Sequence, residues 1–347
     1  MIWPFPGFVR TLLTGRRPFV STASNLNLQL SSTVSRKGPC LAPYFSFYMP
    51  PLCPMLSVAM RCRTRVSLMI HSFISLPLLL KLKILVSRTQ DCIADLSDWM
   101  SLNKLQLNSD KTEVMLACPK KFLNHPSLPA SLTVNELPIS FSPSVRSLGV
   151  TLDPTLSFQK HISNICKSAY LELRKISSVR HYLTTDATKT LVCSLVLSKI
   201  DYCNSLLAGL PKYLLDRLQR IQNNAARLVF KSSKYEHATP LLHSLHWLPI
   251  TKRIEYKLSS LSFAVVSGSA PEYFSELLNL YTPSRQLRSA ADTRLFRLPT
   301  VQTKTCGERS FAYQAPVTWN RLPLPLRHTD SLTTFKTNLK THLFQRK

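Results

Sequence analysis

Three stretches between residues 159 and 230 carry apolar positions at helical spacing, and they organise the chain. In the first, Ile162, Ile165, Cys166, Ala169, Leu173 and Ile176 recur every three or four residues, which places them on one side of a helix starting at Gln159. The second runs from about Thr185 to Leu207, opened by Thr184 or Thr185 as a cap ahead of Asp186 and closed near Gly209-Leu210-Pro211. The third, about Tyr213 to Phe230, turns Leu214, Leu218, Ile221, Ala225 and Leu228 inward. A closing helix is expected from Ser331 to Phe344, with Leu332, Phe335, Leu339 and Leu343 on its inner face. From Lys231 up to that tail, short apolar runs alternate with prolines and predict strand-like or loop segments between turns. Trp247 and Trp319 fall in apolar runs and read as core anchors.

Upstream the period changes. Trp99, Leu102 and Leu105 sit at helical spacing, Asn108-Ser109-Asp110 reads as a turn, and Thr112 to Ala117 alternates as a short strand. Helices that outnumber short strands in this way predict an α+β protein.

Charge narrows the partners. The 347 residues hold 44 Lys and Arg against 18 Asp and Glu, a net charge of +26, which points to a polyanion, nucleic acid ahead of a membrane surface. The nine cysteines, at 40, 53, 62, 92, 118, 166, 193, 203 and 306, form no C-x-x-C pair and suit reduced thiols in the nucleus or cytoplasm better than a disulfide framework or zinc site. His243 and His246 have no partner constellation, no serine lies in a G-x-S-x-G elbow, and the seven glycines form no phosphate loop, so no small-molecule substrate is expected.

The charge is unevenly spread. Residues 1–90 contain eleven Lys or Arg and no acid, whereas every Asp and Glu lies from Asp91 onward. Val66 to Leu80 is apolar, but its fifteen residues are bounded by Arg65 and Lys81 and contain Pro77. That falls short of the roughly twenty residues that span a bilayer. Attachment to a membrane through residues 66–86 is thus an alternative rather than the expectation.

One string carries more information than composition does: Trp99 to Leu116 reads W-M-S-L-N-K-L-Q-L-N-S-D-K-T-E-V-M-L. It resembles the segment just after the catalytic hairpin in the reverse transcriptases of LINE-type (non-LTR, Jockey-superfamily) retrotransposons. The resemblance continues over about residues 91–347. Ser147-Leu148-Gly149-Val150-Thr151-Leu152-Asp153 is similar to the primer-grip hairpin, and Leu156-Ser157-Phe158 with His161-Ile162 to the entry of the thumb. Asp201 to Pro211, Ile221-Gln222-Asn223 with Ala225-Ala226-Arg227-Leu228, Leu245 to Ile250 and Trp319 to Pro323 match the C-terminal region. The resemblance implies four parts: a disrupted palm remnant at 1–90, the end of the palm at 91–158, a helical thumb at 159–235 and a C-terminal region at 236–347.

It also implies what is missing. The family's catalytic string, Phe or Tyr followed by Ala-Asp-Asp-Thr-Gln-Leu, belongs where this chain has Val66-Ser67-Leu68-Met69-Ile70-His71-Ser72-Phe73. Shifted by one frame, the Met69–Ile70 junction must encode Asp, because ATG followed by AT yields GAT. With CTG or TTG at Leu68 the next codon upstream is also Asp, and the remaining junctions permit F-A-D-D-T-Q-L. The apolar, acid-free stretch is then an out-of-frame reading of palm coding sequence. The intact family uses carboxylate-held Mg²⁺ for nucleotidyl transfer. This chain lacks the Asp-Asp pair, and no cofactor and no polymerase activity are expected of it.

Lys111 stands at the position of a pyrophosphate-assisting lysine and is the one catalytic-type group left. Sequence-independent binding of RNA, DNA or a hybrid duplex is what such a remnant can retain, through Gly149 of the grip and Lys160, Lys167, Arg174, Lys175, Arg217, Arg220 and Arg227 of the thumb. The plainer reading of each basic residue is a solubilising charge on a helical bundle. A co-opted protein-interaction module is the competing function.

Overall fold

In a computed structural model of the chain, the described residues are 78–105, 112–118, 131–134, 137–282, 294–301 and 305–346, with Asn108, Lys120, Leu123 and Thr303. The catalytic-string position at 66–73 and Lys111 lie outside them. Among the described residues helix makes up 60% and strand 7%, compatible with the α+β class in the form of helices with small hairpins.

The chain divides into two compact units, of which the smaller holds the described residues from Leu78 to Val114 and from Ser131 to Phe141. Its described core is helix α1 (Leu78–Leu102) beside the antiparallel hairpin of β1 (Ser131–Val134) and β2 (Leu137–Ser140), paired Leu132 to Ile139. Trp99 and Leu132 are buried, but Leu102 is 81% exposed, because α1 ends there and the chain turns away at Asn103 and Lys104. The strand expected at Thr112 to Ala117 is reduced to a single bridge, Val114 to Phe141. Cys92 is disulfide-bonded, so the reduced-thiol reading does not extend to it, whereas Cys118, Cys166, Cys193, Cys203 and Cys306 are free.

The larger unit, described from Met115 and from Ser142 onward, opens with the hairpin β3 (Val145–Ser147) and β4 (Val150–Leu152). It continues into α2 (Gln159–Val179) and a 3₁₀ turn, Arg180–Tyr182. Helix α3 is continuous from Thr185–Val192 through a π turn, Cys193–Leu197, to Ser198–Asp201. Its cap is the Thr184 hydroxyl, which accepts from the Ala187 N–H. Then come a 3₁₀ turn, Asn204–Leu207, and α4 (Lys212–Phe230).

The region after Lys231 departs from expectation. Much of it is helical: α5 (Ala238–Ser244), α6 (Ile250–Val266), the short α7 (Glu272–Ser275), α8 (Phe311–Asn320), the short α9 (Leu324–Arg327) and α10 (Leu332–Gln345), while the described residues between α7 and α8 keep to loops and turns with one antiparallel bridge, Leu280 to Phe296. The prolines taken for breakers are starts. Pro249, Pro271 and Pro323 each stand at an N-cap, where a missing N–H costs nothing and the ring fixes a usable φ; Pro211 does the same for α4. Both tryptophans in this region are buried as expected, Trp319 completely, against Phe263, Phe296 and Phe335.

Candidate nucleic-acid interface

Helices α2 and α4 are each apolar on one side, and all six residues of the predicted α2 stripe are buried. On α4, Leu214, Leu218, Ile221 and Ala225 are buried and Leu228 partly so. The two helices pack side by side and run in the same direction. Arg217 donates to the Ser163 hydroxyl (3.1 Å), Asn224 to the Tyr170 hydroxyl (3.4 Å), and Arg180 to the carbonyls of Leu228 (2.9 Å) and Val229 (2.7 Å). Partners later on α2 and in the turn that follows it meet partners later on α4, and the step from Ser163 to Tyr170 equals that from Arg217 to Asn224, the order of a parallel pair.

That pairing brings two basic rows together. On α2, Lys160, Lys167 and Arg174 are exposed and seven residues apart, two helical turns or about 10 Å per step. A nucleic-acid strand advances about 3.4 Å per nucleotide in a duplex, so each step spans about three of them. On α4, Arg217, Arg220 and Arg227 occupy the side that flanks this row, with Arg220 exposed and the other two half-buried. Lys175 lies off the row and pairs with Glu172 (3.6 Å). Glu172 also holds Lys199 (3.1 Å), and the hydrogen bond from Lys199 is the main reason its carboxyl titrates below the usual range. Asp216 is the other acid on the two helices.

Two tyrosines absent from the sequence-based site share the seam. Tyr170, 43% exposed, leans over it toward Asn224; Tyr213, 58% exposed, stands one turn before Arg217. Their spacing from Lys167 and Arg217 was visible, but only the packing of α2 on α4 shows that they belong to one surface.

Arg180 moves the other way. Although it is a basic residue just past the α2 stripe, it is 7% exposed, and its guanidinium donates to the carbonyls of Leu183, Leu228 and Val229. It neutralises the C-terminal end of α4, where the helix dipole is negative.

The hairpin carrying Gly149 sits at the start of α2. Leu148 (φ 48°) and Gly149 (φ 83°) both have positive φ, the signature of a two-residue type I′ turn. The Tyr202 hydroxyl donates to the Leu148 carbonyl (2.6 Å), and a Cβ on Gly149 would come within 3.3 Å of the Tyr202 ring. Two motifs 54 residues apart in sequence therefore meet at one turn. Gly149 is exposed and acts through its backbone shape rather than through a binding group.

The hairpin is fastened to α2 by polar contacts. The Thr151 N–H donates to His161 Nδ1 (3.3 Å) and Asn164 donates to the Thr151 hydroxyl (3.2 Å). Lys160 donates to the Ser144 hydroxyl, which ties one basic side chain to the hairpin base. Burial, helped by the Arg146 charge, lowers the pKa of His161 and keeps the imidazole neutral, as its acceptor role requires. Burial pushes Asp153 upward, yet hydrogen bonds from Thr155, Ser157 and Phe158 outweigh it and hold the carboxylate below its ordinary range. That carboxylate organises the turn between β4 and α2, where Leu156 and Phe158 have positive φ. Arg309 donates to the Leu156 carbonyl and lies over the Phe158 ring.

The C-terminal motifs are also structural. Gln222, completely buried, donates to the Leu248 carbonyl (2.8 Å), and Asn320 both accepts from and donates to the Phe296 backbone (3.0 and 2.8 Å). His243 and His246 pack edge-on against Phe344.

Three carboxylates of the larger unit have partners within the protein. Asp153 is saturated by backbone and hydroxyl donors, Glu172 is shared by two lysines and Asp201 is held by Arg253. Among the described residues no cluster of three His, Cys, Asp or Glu has metal-binding geometry. No helix among them is long and apolar enough to cross a membrane. The chain matches no protein-family model, no curated protein and no solved structure.

Proposed function

We propose that this chain is a remnant of a retrotransposon RNA-directed DNA polymerase that has no polymerase activity and binds RNA, DNA or their hybrid without sequence readout. The observation that carries the binding is the parallel pair α2 and α4, which puts the exposed Lys160, Lys167, Arg174 and Arg220 on one face with the half-buried Arg217 and Arg227, the first bonded to Ser163 and the second to the Glu236 carbonyl. Side chains of this kind grip phosphates and leave base edges unread. A hairpin around Gly149 followed by helices is compatible with the grip and thumb that the resemblance implies. The missing Asp-Asp pair removes the two-metal chemistry, so binding is the surviving activity.

The test is fluorescence anisotropy of the full chain with a 20-base-pair RNA–DNA hybrid over a range of KCl. Six phosphate contacts give a slope of log K against log salt of about −5, or roughly a thousandfold weakening from 50 to 200 mM. The triple variant Lys167→Gln, Arg174→Gln, Arg220→Gln flattens the slope by about 3. A slope near zero, or one the triple variant leaves unchanged, refutes the interface. Salt-insensitive capture of a protein partner favours the interaction-module alternative. Mg²⁺- or Mn²⁺-dependent incorporation of dNTPs in a primer-extension assay overturns the loss of catalysis.

A further inference from the structure

We infer that the α2–α4 face is built for an unpaired strand, with phosphates on its basic rows and bases stacked on Tyr170 and Tyr213. The inference rests on the nucleic-acid reading of that face and specifies the ligand it takes. A helix surface that only needs solubility has no use for half-exposed phenol rings, yet here two stand among the basic groups. Tyr213 precedes Arg217 by one turn, and Tyr170 reaches across the seam to Asn224, one turn beyond Arg220. The rise from residue 213 to 224 is about 16 Å. That separation fits a few nucleotides of extended single strand.

Exposed aromatic rings beside arginines are how sequence-tolerant proteins hold single strands, because every base has a face to stack. In a duplex those faces are already occupied by neighbouring base pairs, so rings on the seam find nothing to stack on. Tyr170 is positioned rather than merely exposed, since Asn224 holds its hydroxyl at 3.4 Å. Asp216 lies a turn before Arg220 and Glu236 lies beside Arg227, against six basic residues, which leaves an excess of positive charge along the seam.

The experiment compares anisotropy titrations of the full chain at fixed 100 mM KCl with a 20-mer of thymidine, the same 20-mer made abasic, and a 20-base-pair duplex. The thymidine strand is expected to bind about tenfold or more tighter than the abasic strand. The Tyr170→Leu, Tyr213→Leu double variant, with an unchanged circular-dichroism spectrum, is expected to bind both strands at the abasic level. The Tyr170→Phe, Tyr213→Phe variant retains the preference for bases. Equal affinity for the thymidine and abasic strands, tighter binding of the duplex, or equal losses on both strands in the leucine variant overturns the inference. Salt-dependent binding indifferent to bases defeats the stacking alone. Absence of salt-dependent binding to all three ligands defeats the underlying interface as well.

Discussion

Arg180 offers the sharpest test of the packing that creates the basic face. Replacing it with methionine keeps an unbranched side chain of similar length and removes every donor. Three carbonyls lose a charged partner: those of Leu183, Leu228 and Val229, at 2.7, 2.9 and 2.7 Å. The Leu228 carbonyl keeps a backbone donor, the Lys231 N–H at 3.4 Å, so two carbonyls bear most of the loss. Hydrogen bonds to charged groups contribute about 1.5–3 kcal/mol each, which puts the cost at about 3–6 kcal/mol. With a urea m-value of about 2.5 kcal/mol/M for a unit of this size, the midpoint falls by about 1.5 M. Arg174→Met, on the same helix but exposed, is the control and shifts stability by less than about 0.5 kcal/mol. Arg180→Lys, a point charge in place of a planar fork, recovers roughly half of the loss. The measurement is urea unfolding followed by far-ultraviolet circular dichroism. A midpoint for Arg180→Met within about 0.3 M of the Arg174→Met control refutes the assignment of Arg180 as the cap that locks the end of α4 to the end of α2.

Further outcomes follow from other contacts. Gly149→Ala places a Cβ 3.3 Å from the Tyr202 ring at φ 83° and is expected to cost about 1–2 kcal/mol in thermal unfolding, whereas Tyr202→Phe, which loses one hydrogen bond to Leu148, costs about 1 kcal/mol. Equal stability of Gly149→Ala and the wild type contradicts the type I′ turn. His161 has a lowered pKa in the folded chain, so its contribution is complete above the unfolded value of about 6.5 and is lost as pH falls through that value toward the folded one. Stability should fall between pH 7 and 5, and His161→Gln should flatten that decline; an unchanged profile removes His161 from the account. Asp153, also lowered, gives stability that persists above its unfolded pKa of about 3.9 and disappears in more acidic solution, so Asp153→Asn should lose most of its stability deficit near pH 2–3. Trp319→Phe removes the indole donor to the Arg294 carbonyl, 2.6 Å away, and opens space among Phe263, Phe296 and Phe335, at a cost of about 2–3 kcal/mol measured by urea unfolding.

Local periodicity was enough to place α2, α4 and the inner face of α10, because an amphipathic helix writes its buried side at intervals of three and four residues. It also located the two core tryptophans, which fall in largely apolar runs and are buried. Proline was misleading after Lys231 for a physical reason: the residue that ends one helix and the residue that begins the next are the same amino acid, and only the backbone around Pro249, Pro271 and Pro323 distinguishes them. The basic residues of α2 and α4 were legible as charges but not as a surface. Charge has no period of its own, and Arg180 shows that a basic residue beside an apolar stripe can turn inward to meet carbonyls from a helix 48 residues away. Seating Tyr202 on the Gly149 turn, joining Tyr170 to Asn224 and setting α2 parallel to α4 each required contacts between distant segments. Residue order by itself therefore determined which faces are apolar and how much positive charge the chain carries, while tertiary packing decided which of those charges share a face and which serve only to close a helix.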